Sequence, residues 1–197
     1  AVRGGTVCTV AGDYEFYHYL HDGTPDQGWG CAYRSLQTII SWYIHQHYTD
    51  RREVPGILEL QQILHKIDYT KRDKKFVGSQ EWIGSAEITY VLEHLLGVEC
   101  QQEHVASAVE IEERGRLLLH HFQSHGTPVM IGGDTYAYTI LGINCNPSTG
   151  DMLLLILDPH YVGNDDPCSI IRDKGCSWQR VRKFFQSNFF YNMCLPR

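Results

Sequence analysis

Apolar positions in residues 31–47 fall at Leu36, Ile39, Ile40, Tyr43 and Ile44, the i, i+3, i+4, i+7, i+8 spacing of one helical face. The same period returns in 57–68 through Leu60, Ile63, Leu64 and Ile67. It returns again through Ile88, Val91, Leu92, Leu95 and Leu96, where Ser85 reads as the N-cap and Gly97 as the stop. A further helix is expected over about 107–124. The pattern then changes. TPVMIGG (127–133) reads as a buried strand ending at two glycines, and AYTILGINC (137–145) and DMLLLILDPH (151–160) read as a hairpin around NPSTG. FFYNMCLP (189–196) is a last strand that Pro196 ends. Residues 1–17 read as short extended segments, and KRDKK (71–75) and FVGSQEWIGS (76–85) as loops. Helices come mainly first and strands mainly after, an order that favours α+β over a parallel βαβ sheet.

The chain of 197 residues, with no repeat, low-complexity tract or clear linker, is expected to form a single domain over 1–197. It is 43% hydrophobic and 20% charged, which excludes a disordered or collagen-like chain. The net charge of −6, with 17 Lys and Arg, does not favour nucleic acid or an acidic membrane surface. No apolar run approaches the ~20 residues a membrane span needs. Seven cysteines, an odd number without any CxxC pair, suggest neither a zinc site nor a disulfide scaffold, so a metal site is not expected. A reducing compartment, cytosol or nucleus, is the simplest reading. The chain starts at Ala1 without an initiator Met or a signal-peptide pattern, and a fragment or processed chain is expected.

Three places carry candidate chemistry. In DQGWGCAYRS, Cys31 follows a glycine-rich turn and opens the first helix. A thiol there meets free amide donors and the positive end of the helix dipole, which favour the thiolate needed for nucleophilic attack. Gly28 and Gly30 allow a substrate backbone to approach. The competing reading is an ordinary buried cysteine. In LDPH, Asp158 and His160 are two apart at the end of a strand, so both are expected on one face, a carboxylate orienting an imidazole base. The bland alternative is an Asp-Pro turn beside a surface histidine. The third place is DYEFYHYL, where Tyr14, Tyr17 or Tyr19 is a candidate phenol donor to an oxyanion, with the Gln27 amide as competitor. The other histidines, among them His45, His47, His120 and His121, read as surface or packing residues.

Five separated motifs run in order along nearly the whole chain: GWGCAYRSLQT, FVGSQEWIGS, GTPVMIGG, ILDPHY and YNMCLP. Together they resemble the ubiquitin-fold-modifier-specific cysteine proteases, most closely the catalytic domain of the longer, type 2 member. The resemblance implies a papain-like α+β fold, with helices carrying the nucleophile packed on a mainly antiparallel sheet carrying Asp and His. It implies a triad of Cys31, His160 and Asp158, and it selects Tyr19, twelve residues before the nucleophile, as the oxyanion donor. It implies no cofactor. The expected substrate is the ubiquitin-fold modifier, both as a precursor whose tail is trimmed to a terminal glycine and as conjugates on lysine. Trp29 and Trp82 are then candidate walls of a narrow slot, with Gly30, Gly132 and Gly133 giving backbone room; plain core packing is the alternative for each tryptophan. The longer member carries an additional amino-terminal region, implicated in recruitment to the endoplasmic reticulum through a partner and expected to be missing here. Two other readings compete. One is an autophagin-like protease for the autophagy modifier, which shares the GWGC and DPH motifs. The other is a noncatalytic module that binds the modifier, which loss of Cys31, Asp158 or His160 would have favoured.

Overall fold

The computed structural model describes residues 1–73, 75–133 and 135–197. The charged KRDKK run includes Lys74, which lies outside the described residues. Strand β1 (Thr6–Thr9) precedes three helices, α1 (Cys31–His45), α2 (Ile57–Ile67) and α3 (Ser85–Leu96). Strand β2 (Cys100–Val105) leads into α4 (Ala108–Glu113) and α5 (Gly115–Ser124). There follow β3 (Val129–Gly133), β4 (Tyr136–Cys145), β5 (Met152–Leu157), α6 (Pro167–Arg172), β6 (Cys176–Arg180), α7 (Val181–Phe184) and β7 (Tyr191–Pro196).

The strands form one sheet in the order β2-β7-β3-β4-β5-β6, and every pair is antiparallel. β1 pairs with the far half of β4, Thr9 opposite Gly142, continuing the edge that β3 leaves at Ile140. Alternation along the strands divides the core. Val129, Ile131, Met193 and Leu195 pack with α4 and α5, whereas Met130 and Cys194 face α1, α2 and α3. The sheet is therefore covered on both faces.

Three expectations need correction, and two strands escape the periodicity. The helix expected over 107–124 is broken at Arg114, and Gly115 starts α5 where a Cβ would come 3.0 Å from the Cys145 sulfur. Ser85 does not cap α3. Gly84 holds the N-cap position, and its amide donates to Glu87 Oε2 at 3.0 Å. β2 and β6 have little apolar alternation because they are the two outer strands of the main path and are held by backbone pairing with β7 and β5. Finally, α1 is not a one-faced helix. Every residue from Cys31 to Tyr43 is buried, because the sheet, the other helices and the segment before the glycine loop all pack on it. Its polar groups are matched accordingly: Thr38 Oγ1 accepts from the Tyr17 amide at 3.1 Å, Ser41 Oγ from the Glu15 amide at 2.9 Å, and Gln37 Nε2 donates to the Pro55 carbonyl at 2.9 Å.

Candidate active site

α1 carries Cys31 at its first residue, after a Gly30 cap that offers no side chain to the free amides of the first turn. One turn on, Ser35 Oγ and Thr139 Oγ1 of β4 share a buried hydrogen bond of 2.8 Å. Thr139 is in register with Leu157, the last residue of β5. Asp158 and His160 follow directly. This short relay brings the start of the first helix to the end of the fifth strand, residues more than a hundred positions apart.

Asp158 and His160 do not meet as neighbours on a strand face, because β5 has already ended. They meet in a turn. Asp158 Oδ1 accepts from the His160 amide at 2.9 Å and pairs with ring Nδ1 at 2.6 Å. The turn is anchored on both sides, by the Asp158 amide donating to the Gly175 carbonyl at 2.7 Å and the Tyr19 amide donating to the Pro159 carbonyl at 2.8 Å. With Nδ1 engaged by Asp158, the remaining ring nitrogen is free to serve the hydrogen bond between His160 and Cys31. Burial is the largest influence on the ring and disfavours its charge. The hydrogen bonds to Asp158 and Cys31, together with their charges, outweigh it and raise the His160 pKa to about 9.

Of the three candidate tyrosines, the structure brings Tyr19 to the thiol. Its ring lies 5.3 Å from that of His160 in an edge-on arrangement, and its hydroxyl hydrogen-bonds Cys31. Burial, then the nearby Cys31 sulfur, push its pKa up, so the phenol keeps its proton and can donate. Tyr17 instead packs on His21, Tyr14 lies near Cys176, and Gln27 is exposed. Two further rings were missed by sequence reasoning. Tyr136 and Tyr138 each lie 5.3 Å from the His160 ring, so three tyrosines surround it. The alternation of β4 would have paired them, but nothing in the sequence connects that face with His160.

Cys31 opens into a cleft of about 340 Å³ lined also by Trp29, Trp82, Gly132 and Gly133. Trp82 is 45% exposed, so core packing does not explain it. Trp29 is half-buried, its indole donating to the Pro25 carbonyl at 3.0 Å. Gly30 does not line the cleft, and the molecule itself explains its missing side chain: a Cβ would fall 2.6 Å from Asp26 Cβ. At Gly133, a Cβ would fall 2.3 Å from the Phe190 carbonyl oxygen. The bareness of these two glycines therefore satisfies packing within the chain, whatever else it permits.

A thiol beside an imidazole that a carboxylate orients, with a phenol on the other side, is an arrangement suited to acyl transfer. The sequence profile of peptidase family C78 matches residues 5–194. The chain belongs to this family. It is 49% identical over its full length to a probable Ufm1-specific protease of Oryza sativa subsp. japonica, covering 31% of that protein. It is 48% identical, over 98% of its length, to a Ufm1-specific protease of Caenorhabditis elegans, covering 32% of it. Against Ufm1-specific protease 2 of Mus musculus the identity is 46% over the full chain and 42% of that protein. The crystal structure of UfSP from C. elegans superposes with a TM-score of 0.87 at 45% identity, covering all of this chain and 35% of that one. The C78 chain thus spans only about a third to two-fifths of these curated relatives. The papain-like α+β architecture and the family expected from the five motifs are both borne out.

Proposed function

We propose that this C78 chain is a thiol protease that trims the Ufm1 precursor to its terminal glycine and releases Ufm1 from lysines. The observation that carries the reading is the hydrogen-bonded run Asp158, His160, Cys31, Tyr19 at the end of a cleft bounded by two tryptophans. It is further supported by relatives, 46–49% identical, that bear the name Ufm1-specific protease. In this proposal Cys31 passes its proton to His160 and attacks the carbonyl of the terminal glycine. Tyr19 and the free amides at the start of α1 hold the developing oxyanion. Protonated His160, held by Asp158, gives its proton to the departing amine. Water, activated by the same ring, then hydrolyses the thioester. Trp29 and Trp82 wall the slot, and Gly132 and Gly133 line it; a glycine at the substrate terminus fits between such walls where a side chain would not.

The test uses two activity probes, Ufm1 and the autophagy modifier, each ending in a glycine-derived electrophile, with adducts read by intact mass and Cys31→Ser as control. An adduct with the Ufm1 probe alone, absent in the control, is expected. Reaction with the second probe alone would replace the reading by an autophagin-like one. A folded chain that binds Ufm1 and reacts with neither would leave a noncatalytic module.

The same proposal includes a cytoplasmic or nuclear location and a partner that recruits the full-length protein to the endoplasmic reticulum. No helix among the described residues is long and apolar enough to cross a membrane. Full-length protein that co-sediments with microsomes and leaves them in a high-salt wash is the expected result. Resistance to both salt and carbonate would rule out recruitment through a peripheral partner.

A further inference from the structure

Tyr19 and Cys31 are the ends of one thirteen-residue excursion, and that excursion is fastened internally at one buried residue, Asp26. Asp26 is fully buried. Its Oδ1 accepts from the Leu20 amide at 3.0 Å, one residue after Tyr19. Its own carbonyl accepts from the amides of Trp29 at 3.2 Å and Gly30 at 2.8 Å, the latter one residue before Cys31. Its Oδ2 takes Nε of Arg34 at 2.5 Å. Arg34, also fully buried, lies three residues after Cys31 on α1 and spends its remaining nitrogens on both Asp22 oxygens, at 3.0 and 2.8 Å, and on Gln37 Oε1 at 3.0 Å. Leu20 sits at φ 62°, a left-handed conformation unusual for leucine, and its amide is the one Asp26 holds.

A buried ion pair is a weak source of stability, since apolar side chains of similar volume do as well. Its value lies in direction and register, and here the bonds to Leu20 and Asp22 end within three residues of Tyr19, while Arg34 itself lies three residues after Cys31. We propose that Asp26, clamped by Arg34, is a positioning residue that sets the Tyr19 phenol against the Cys31 thiol, its carboxylate pinning the Leu20 amide and the chain it fixes holding the Gly30 amide through the Asp26 carbonyl. Substrate does not touch it. The inference rests on the reading that Cys31 and Tyr19 perform the chemistry.

A double-mutant cycle tests it: wild type, Asp26→Asn, Tyr19→Phe and the double variant, assayed on Ufm1 bearing a C-terminal fluorogenic amide. Alkylation of Cys31 by iodoacetamide, which forms no oxyanion, runs beside it. Tyr19→Phe is expected to lower kcat by about 10²–10³-fold. Asp26→Asn is expected to lower kcat by about 10²-fold with KM nearly unchanged, since a misplacement near 1 Å costs that much. In the Tyr19→Phe background the same change should add little, because the coupled pair fails additivity, and alkylation should stay within about twofold. Equal losses in both backgrounds, or alkylation that falls in step with kcat, would overturn the positioning role. If Asp26→Asn does not fold, Arg34→Lys, which keeps the charge but loses the fork, is read by the same criteria. A Tyr19→Phe protein with unchanged kcat would instead remove the Tyr19 assignment itself, an outcome visible without any Asp26 variant.

Discussion

At the scale of single residues, two histidines of this chain face opposite electrostatic problems. His160 is raised to about 9 despite burial, by Asp158 and Cys31. His121 is lowered to about 4, first by burial, and its Nε2 is occupied by the Thr127 hydroxyl at 2.8 Å and carbonyl at 3.0 Å. The signs follow by linkage. The folded state favours charged His160, so that contribution is complete below the ordinary value of 6.5 and is lost as pH rises through about 9. The folded state disfavours charged His121, so stability is lost as pH falls from 6.5 toward 4. Ring-labelled NMR should find one imidazole titrating near 9 and another near 4, and Asp158→Ala should bring the first sharply down. A His160 ring titrating at 6.5 in the unsubstituted chain would contradict the paired arrangement.

At the scale of elements, periodicity located the three long helices and the inner strands, and where it erred the cause is physical. The spacing of the DPH motif predicts a strand end, yet its pairing comes from a side-chain turn, because Asp158 accepts the amide two residues on before the ladder can continue. The broken α4–α5 helix reflects the sheet pressing on Gly115, a contact no local pattern contains. Gly97 was legible, and it ends α3 in the left-handed region at φ 63° with open space around its missing side chain. Gly97→Ala therefore carries backbone strain alone. It should cost about 1–2 kcal/mol in urea unfolding with an unchanged m-value. A midpoint equal to that of the unsubstituted chain would mean that the αL cap is not held in solution.

At the scale of the molecule, the site exists because one sheet carries cores on both faces and the central helix abuts it. Ser35 and Thr139, two ordinary hydroxyls, join α1 to β4 at the point where β4 meets the end of β5. Neither carries a signature in the sequence, nor do Asp26 and Arg34, since a charged pair at zero exposure leaves no hydropathic pattern. What the sequence determined by itself was local: helix and strand periods, the glycine turn before Cys31, the Asp-x-His spacing and the motifs that carry the family. Spacing leaves open which of Tyr14, Tyr17 and Tyr19 reaches the thiol, and only resemblance selects one; the geometry brings Tyr19 there. The meeting of Cys31 with His160, the ring of tyrosines about that histidine and the buried Asp26 clamp were decided by tertiary structure. The first two join residues far apart along the chain, which only the packing of α1 on the sheet brings within reach; the clamp spans six to eight residues, and what the tertiary structure decides there is its complete burial.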